Sequence, residues 1–129
     1  MRSNRQLLGD RGEALAETWL AERGYVLRAR NYRCRTGEID LIMQQGDLLA
    51  FIEVKTRRSE AYGTPAEAVN AFKRRQILQT AEHYLATFDD PVECRFDVVE
   101  VWFLDGDAPR VNHLPAAFDA DGCGSGHGD

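Results

Sequence analysis

Apolar residues recur at helical spacing over residues 7–23: Leu7, Leu8, Leu15, Trp19 and Leu20, with Ala14, Ala16 and Ala21 between them. This recurrence predicts an amphipathic first helix, closed by Gly24. The period then changes. Tyr25, Leu27, Ala29 and Asn31 alternate loosely with polar neighbours and predict a first strand over 25–33. Residues 38–45 and 48–56 flank Gly46-Asp47, a Gly-X pair suited to a two-residue type II′ turn, and predict a hairpin. Its second strand carries Leu49 and Phe51 on one face and Ile52 and Val54 on the other, the pattern of an interior strand. After a loop at 59–63, Thr64-Pro65-Ala66-Glu67 reads as a capping box with proline at the first helical position. It predicts a second helix from Thr64 to about Ala86. Phe96 and Val98 against Asp97 and Val99 predict a fourth strand over 95–104, and residues 110–114 a short fifth. The order αβββαβ(β) predicts an α/β sandwich with a mixed central sheet. Residues 1–118 form one domain on this reading, and the Gly- and acid-rich 119–129 a disordered tail.

A two-residue turn fixes the hairpin register. With Gln45 opposite Leu48, Asp40 falls opposite Glu53 and Glu38 opposite Lys55. Directly opposed side chains have Cβ atoms about 4.5–5.5 Å apart. Two carboxylates so placed repel unless a cation lies between them or one keeps a proton. Mg²⁺ takes one or two carboxylates together with phosphate oxygens and water, so the hairpin reads as half of a metal site with a lysine beside it. Phosphodiester hydrolysis needs a metal-activated water and stabilisation of charge on the phosphate. Asp40 and Glu53 can supply oxygen ligands, the Val54 carbonyl another, and Lys55 can orient the water or neutralise charge. The plainer alternative is a solvated ion-paired face, worth less than about 1 kcal/mol per pair. Apolar neighbours on both faces of the strand argue against it.

Asp40 followed by Glu53-Val54-Lys55 resembles the core of the PD-(D/E)XK nucleases, the restriction-endonuclease-like superfamily, with Ile39 where that superfamily has proline. The surrounding stretches resemble one branch more closely, the YraN family of small bacterial proteins without a settled biochemical function. They are Gly12-Glu13-Ala14-Leu15-Ala16, Arg23-Gly24-Tyr25, Asn31-Tyr32-Arg33-Cys34-Arg35, Gly37-Glu38-Ile39-Asp40, Phe51-Ile52-Glu53-Val54-Lys55, Gly63-Thr64-Pro65-Ala66 and Arg95-Phe96-Asp97-Val98-Val99. In order they cover about 9–118. The resemblance implies a restriction-endonuclease-like α/β sandwich and catalytic roles for Asp40, Glu53 and Lys55, with Mg²⁺ or Mn²⁺ as cofactor. Glu13 is similar to the helix glutamate that completes the metal site of archaeal Holliday-junction resolvases; its alternative is a first-turn glutamate favoured by the helix dipole. Glu38 is a further ligand or the partner of Lys55.

Composition changes this picture little. With 43% hydrophobic and 29% charged residues among 129, the chain suits one globular domain. No apolar run approaches the ~20 residues of a membrane span, and Met1–Asp10 lacks a signal-peptide core, so the expected compartment is the cytoplasm. Cys34, Cys94 and Cys123, and His83, His113 and His127, are too scattered for a zinc site or a disulfide framework. Charge changes it more. The net −5 divides into 14 basic and 11 acidic side chains over 1–88, against two and ten over 89–129. Basic clusters flank the hairpin: Arg28, Arg30, Arg33 and Arg35, then Lys55, Arg57 and Arg58, then Lys73, Arg74 and Arg75. They suit a phosphate backbone, with Arg33, Arg35, Arg57, Arg58, Lys73, Arg74 and Arg75 as the expected nucleic-acid contacts. The expected activity is a metal-dependent endonuclease on DNA, with branched or flapped DNA as candidate substrates. The alternatives are a nucleic-acid-binding module of the same fold with little turnover, and a subunit whose acidic 89–129 segment docks a basic protein. A resolvase-like role would favour a homodimer, because two opposed cuts need two sites.

Overall fold

Ser3 sets the start of the first helix. Its hydroxyl accepts from the Gln6 amide at 3.1 Å while Gln6 Oε1 accepts from the Ser3 amide at 2.8 Å, a reciprocal box that satisfies two otherwise orphaned donors. The computed structural model describes residues 1–58, 69–104 and 106–119. Within them the elements run α1 (Asn4–Ala21), β1 (Val26–Cys34), β2 (Gly37–Gln45), β3 (Leu48–Arg57), α2 (Ala71–Leu85), β4 (Glu93–Trp102) and β5 (Arg110–Phe118). The strands form one mixed sheet in the order β1-β2-β3-β4-β5, with β3 and β4 parallel and the other neighbours antiparallel. A parallel pair needs a crossover, and α2 lies in that connection.

Among the described residues, one helix packs on each face of the sheet. Ala16 and Leu20 of α1 belong to a buried cluster with Leu41, Met43, Ala50, Ile52, Val99 and Val101. Ile77 and Ala81 of α2 belong to another with Ile39, Ile42, Leu49, Phe51, Phe96 and Val98. This is the α/β sandwich with a mixed sheet that the pattern of elements predicts. As expected, β3 is an interior strand; it is the middle one of the sheet and is buried from Leu49 through Val54. Gly12 brings α1 close to it: a Cβ there would stand 2.2 Å from Thr56 Oγ1.

Three expectations need correction. The second helix starts at Ala71, not Thr64, because extended Asn70 caps it by accepting from the Lys73 amide at 2.9 Å. The Thr64 capping box and the 59–63 loop lie outside the described residues, as do Asp105 and the tail from 120 onward. The fifth strand runs on to Phe118, past Pro115, which an edge strand tolerates because its N–H side need not pair. Asn31 does not continue the alternation of β1. A register shift between Leu27 and Ala29, and a left-handed Asn31 at φ 48, change which side chains face inward.

Asp97 on β4 is fully buried, and its partners come from several elements. Arg95 grips both carboxylate oxygens at 2.8 Å and also donates to Tyr25 Oη. His113 Nε2 on β5 lies 2.7 Å from Oδ2, and the Ala116 amide donates to Oδ1. Burial pushes this carboxyl up, but the bonds from His113, Arg95 and Ala116 outweigh it and leave the pKa below its ordinary value.

Candidate active site

The hairpin register is the one its turn predicts. Gln45 pairs with Leu48 across Gly46 at φ 59, and pairing continues to Leu41 opposite Ile52. There the recorded ladder between β2 and β3 stops, one step short of Asp40 and Glu53. Beyond it, Asp40 Oδ2 accepts the Val54 N–H at 2.8 Å, a side chain standing in for a ladder carbonyl. Asp40 and Glu53 thus meet at the end of the pairing between the two central strands.

The electrostatics follow from this crowding. Burial, then the charge of Glu53, and further the charge of Glu13, push the Asp40 carboxyl up to about 8 against the Val54 hydrogen bond. Glu53 is itself only 7% exposed. Lys55 Nζ lies 3.3 Å from its Oε2 and Lys73 Nζ, from the first turn of α2, 3.7 Å from the same oxygen. Glu13 stands on α1, held by Asn31 Nδ2 at 3.0 Å. Burial, with the charges of Glu38 and Asp10, outweighs that bond and raises its pKa. Asp10, Glu13, Glu17, Glu38 and Asp40 line one cavity of about 560 Å³ together with Arg2, Arg30 and Arg33.

Asp40, Glu53 and Lys55 therefore come together, with Glu13 beside Asp40. Glu38 does not face Lys55. It turns toward β1, where Arg33 is its cross-strand partner and approaches it to 3.3 Å, because the β2–β3 ladder does not extend that far. The Val54 N–H is the group that bonds Asp40. The basic side chains divide. Arg30 is tied to Glu17 at 2.7 Å and Arg33 to Glu38. Arg74 turns inward, donating to Val69 O at 2.9 Å with its guanidinium 5.7 Å from the Phe118 ring. Arg35 borders a separate cleft with Gln79 and His83, Arg58 one with Arg11 and Phe103, and Arg75 is exposed. Arg57 Nε is buried with no hydrogen-bond partner among the described residues.

Two neighbours of the site escape a reading of spacing alone. Asn31 sits between the paired positions Arg30–Leu41 and Tyr32–Ile39, hence across from Asp40, and orients Glu13. Its signal was an asparagine within a strand, the side chain that best tolerates a left-handed backbone. Glu100, in register beside Lys55 on β4, is buried and accepts from Trp102 Nε1 at 2.6 Å and from Asn112 Nδ2. Strand alternation alone marks no partner for it.

A hard divalent cation fits this donor set: the half-buried Asp40 and the buried Glu53 repel at one point, a third carboxylate lies on α1, and burial with the Glu53 charge raises the Asp40 pKa. Among the described residues no three acidic, His or Cys side chains already converge as a ligand cage. Nor is any helix there long and apolar enough to cross a membrane.

Fold and site together define an α/β sandwich with a carboxylate–lysine cluster where its central hairpin opens. The chain belongs to the uncharacterised protein family UPF0102, the YraN family, whose sequence model matches residues 12–101. A UPF0102 protein of Anaeromyxobacter dehalogenans is 49% identical over 119 residues, covering 92% of this chain and 88% of its own. One from Nocardia farcinica is 47% identical over 116 residues, 89% of this chain and 91% of that one. One from Symbiobacterium thermophilum is 54% identical over 95 residues, 73% and 80% respectively.

Proposed function

We propose that the chain is a divalent-metal-dependent endonuclease that hydrolyses phosphodiester bonds in DNA, with branched or flapped DNA as its candidate substrates. The observation that carries this reading is the meeting of Asp40 and Glu53 at the end of the β2–β3 ladder, with Lys55 at 3.3 Å from Glu53. Asp40 and Glu53 would hold Mg²⁺ or Mn²⁺, with Glu13 as a third carboxylate and the Val54 carbonyl as a further donor. When bound, the ion supplies a water of lowered pKa and positive charge for the phosphoryl oxygens.

The remaining work falls to the chain. The Asn31 amide holds Glu13 in place beside Asp40. Lys55 and Lys73 bring two positive charges to Glu53, where the phosphate and the attacking water would lie. Arg57, Arg58 and Arg75, with Arg35 farther out, are the side chains available for backbone phosphates; Arg33 and Arg74 would first have to leave Glu38 and Val69. On this reading the protein works in the cytoplasm, where Cys34 and Cys94 stay as free thiols.

A second reading, a nucleic-acid-binding module of the same fold with little or no catalysis, draws on the raised pKa of Asp40: a carboxyl that keeps its proton near neutrality is a poor ligand until metal displaces it. Single-stranded, duplex, flapped and four-way-junction DNA incubated with Mg²⁺ or Mn²⁺ distinguishes the two. The nuclease cuts at least one substrate, and Glu53→Gln or Lys55→Ala lowers the rate at least ~100-fold with DNA binding retained. Binding without any metal-dependent cut supports the module.

A further inference from the structure

We propose that Phe72 is a stacking platform for an unpaired base of the substrate, so that the site takes DNA with single-stranded nucleotides beside the scissile bond; this rests on the nuclease reading. A single exposed phenylalanine needs no explanation by itself. Its position gives this one meaning. Phe72 is 63% exposed in the first turn of α2 and belongs to neither buried cluster. The next residue, Lys73, reaches Glu53. Phe72 is therefore the chain neighbour of a side chain that reaches the site.

Helical spacing extends this face. Phe72, Gln76, Gln79 and His83 fall four, seven and eleven residues along and share one stripe of α2. The stripe borders the β1–β2 turn: Gln76 lies against Gly37, and Gln79 and His83 line a cleft with Arg35. An aromatic ring and two amides thus share one side of α2, with the Arg35 guanidinium across the cleft at its far end. Stacking on an aromatic ring is tolerant of sequence, since every base has a π-face, and adjacent cations track the phosphates. A base inside an intact duplex is already stacked on its neighbours, so the ring has a partner only at a fork, flap or junction.

The test measures binding of the full chain, without divalent metal, to a single strand, a blunt duplex and a fork carrying 2-aminopurine at its branch. Phe72→Ala is expected to weaken single-strand and fork binding roughly 10-fold and leave duplex binding unchanged. Phe72→Trp is expected to restore affinity and to quench the 2-aminopurine. Equal affinity of wild type and Phe72→Ala for all three DNAs overturns the inference. So does a lowered melting temperature of Phe72→Ala, which would make the ring a structural element. Phe72-dependent binding with no cleavage under any metal keeps the platform and rejects the nuclease. Cleavage of intact duplex as fast as fork, unaffected by Phe72, keeps the nuclease and rejects the platform.

Discussion

Burial and the neighbouring Glu53 charge push the Asp40 carboxyl up to about 8, and this makes the site sensitive to pH. A carboxyl whose pKa rises on folding stabilises the fold while it is protonated. That contribution is complete below the ordinary value of about 4 and is lost as pH climbs through the folded value. Asp40→Asn keeps an oxygen acceptor for the Val54 amide and removes the titration. Metal-free Asp40→Asn should therefore unfold at about the same urea concentration as wild type near pH 4 and gain about 1–3 kcal/mol over it near pH 9. An equal difference at both pH values would contradict the assignment. Metal must displace the same proton, so Mn²⁺ affinity in calorimetry should rise with pH and level off above about 8. At this scale the sequence was most informative about Asp40, Glu53 and Lys55, because a two-residue turn converts spacing into opposition. It was misleading about Glu38, whose partner depends on where the ladder stops.

Elements follow from local signals wherever a signal has no competitor. Gly46-Asp47 is the sole turn candidate between two apolar runs, and the hairpin register follows from it. The start of α2 is misread at Thr64, whose box precedes the Asn70 cap by six positions. Asn70 caps the helix, which Asn70→Ala should cost about 1 kcal/mol in urea unfolding. Ser3 with Gln6 was an equally legible box for α1, outside the apolar stripe that marks the helix. The seat of α1 depends on Gly12. Gly12→Ala places a methyl carbon 2.2 Å from Thr56 Oγ1, so the helix must shift off β3 and carry Glu13 with it. About 1–3 kcal/mol of destabilisation is expected, and Thr56→Ala in the same chain should recover most of it. No recovery would mean that Gly12 is required for its backbone freedom instead.

Across the whole molecule, the half-buried Asp40 and the buried Asp97 respond to pH in opposite senses. Asp97 ties β4 to β5 and, through Arg95, to Tyr25 ahead of β1. Its pKa is below the ordinary value, so its stabilisation is present above about pH 4 and is lost as pH falls through the folded value. Asp97→Ala should cost about 3–5 kcal/mol near neutrality, since it leaves Arg95 without its carboxylate. With Asp40 acting in the other direction, these two groups place the greatest stability of the metal-free protein near pH 4. Nothing in the strand pattern announced the Asp97 cluster, because its partners are far apart in sequence. Charge at this scale was legible: the basic excess over 1–88 contains the proposed site, and binding to DNA should weaken steeply with salt. Whether Asp40 and Glu53 form a hydrolytic metal site is decided by timing Mn²⁺-started cleavage of a labelled fork by wild type and Asp40→Asn, both saturating the DNA. Cleavage by wild type that falls at least ~100-fold in the variant, with binding unchanged, is the predicted result. Equal cleavage by both proteins, or none by wild type, would contradict it.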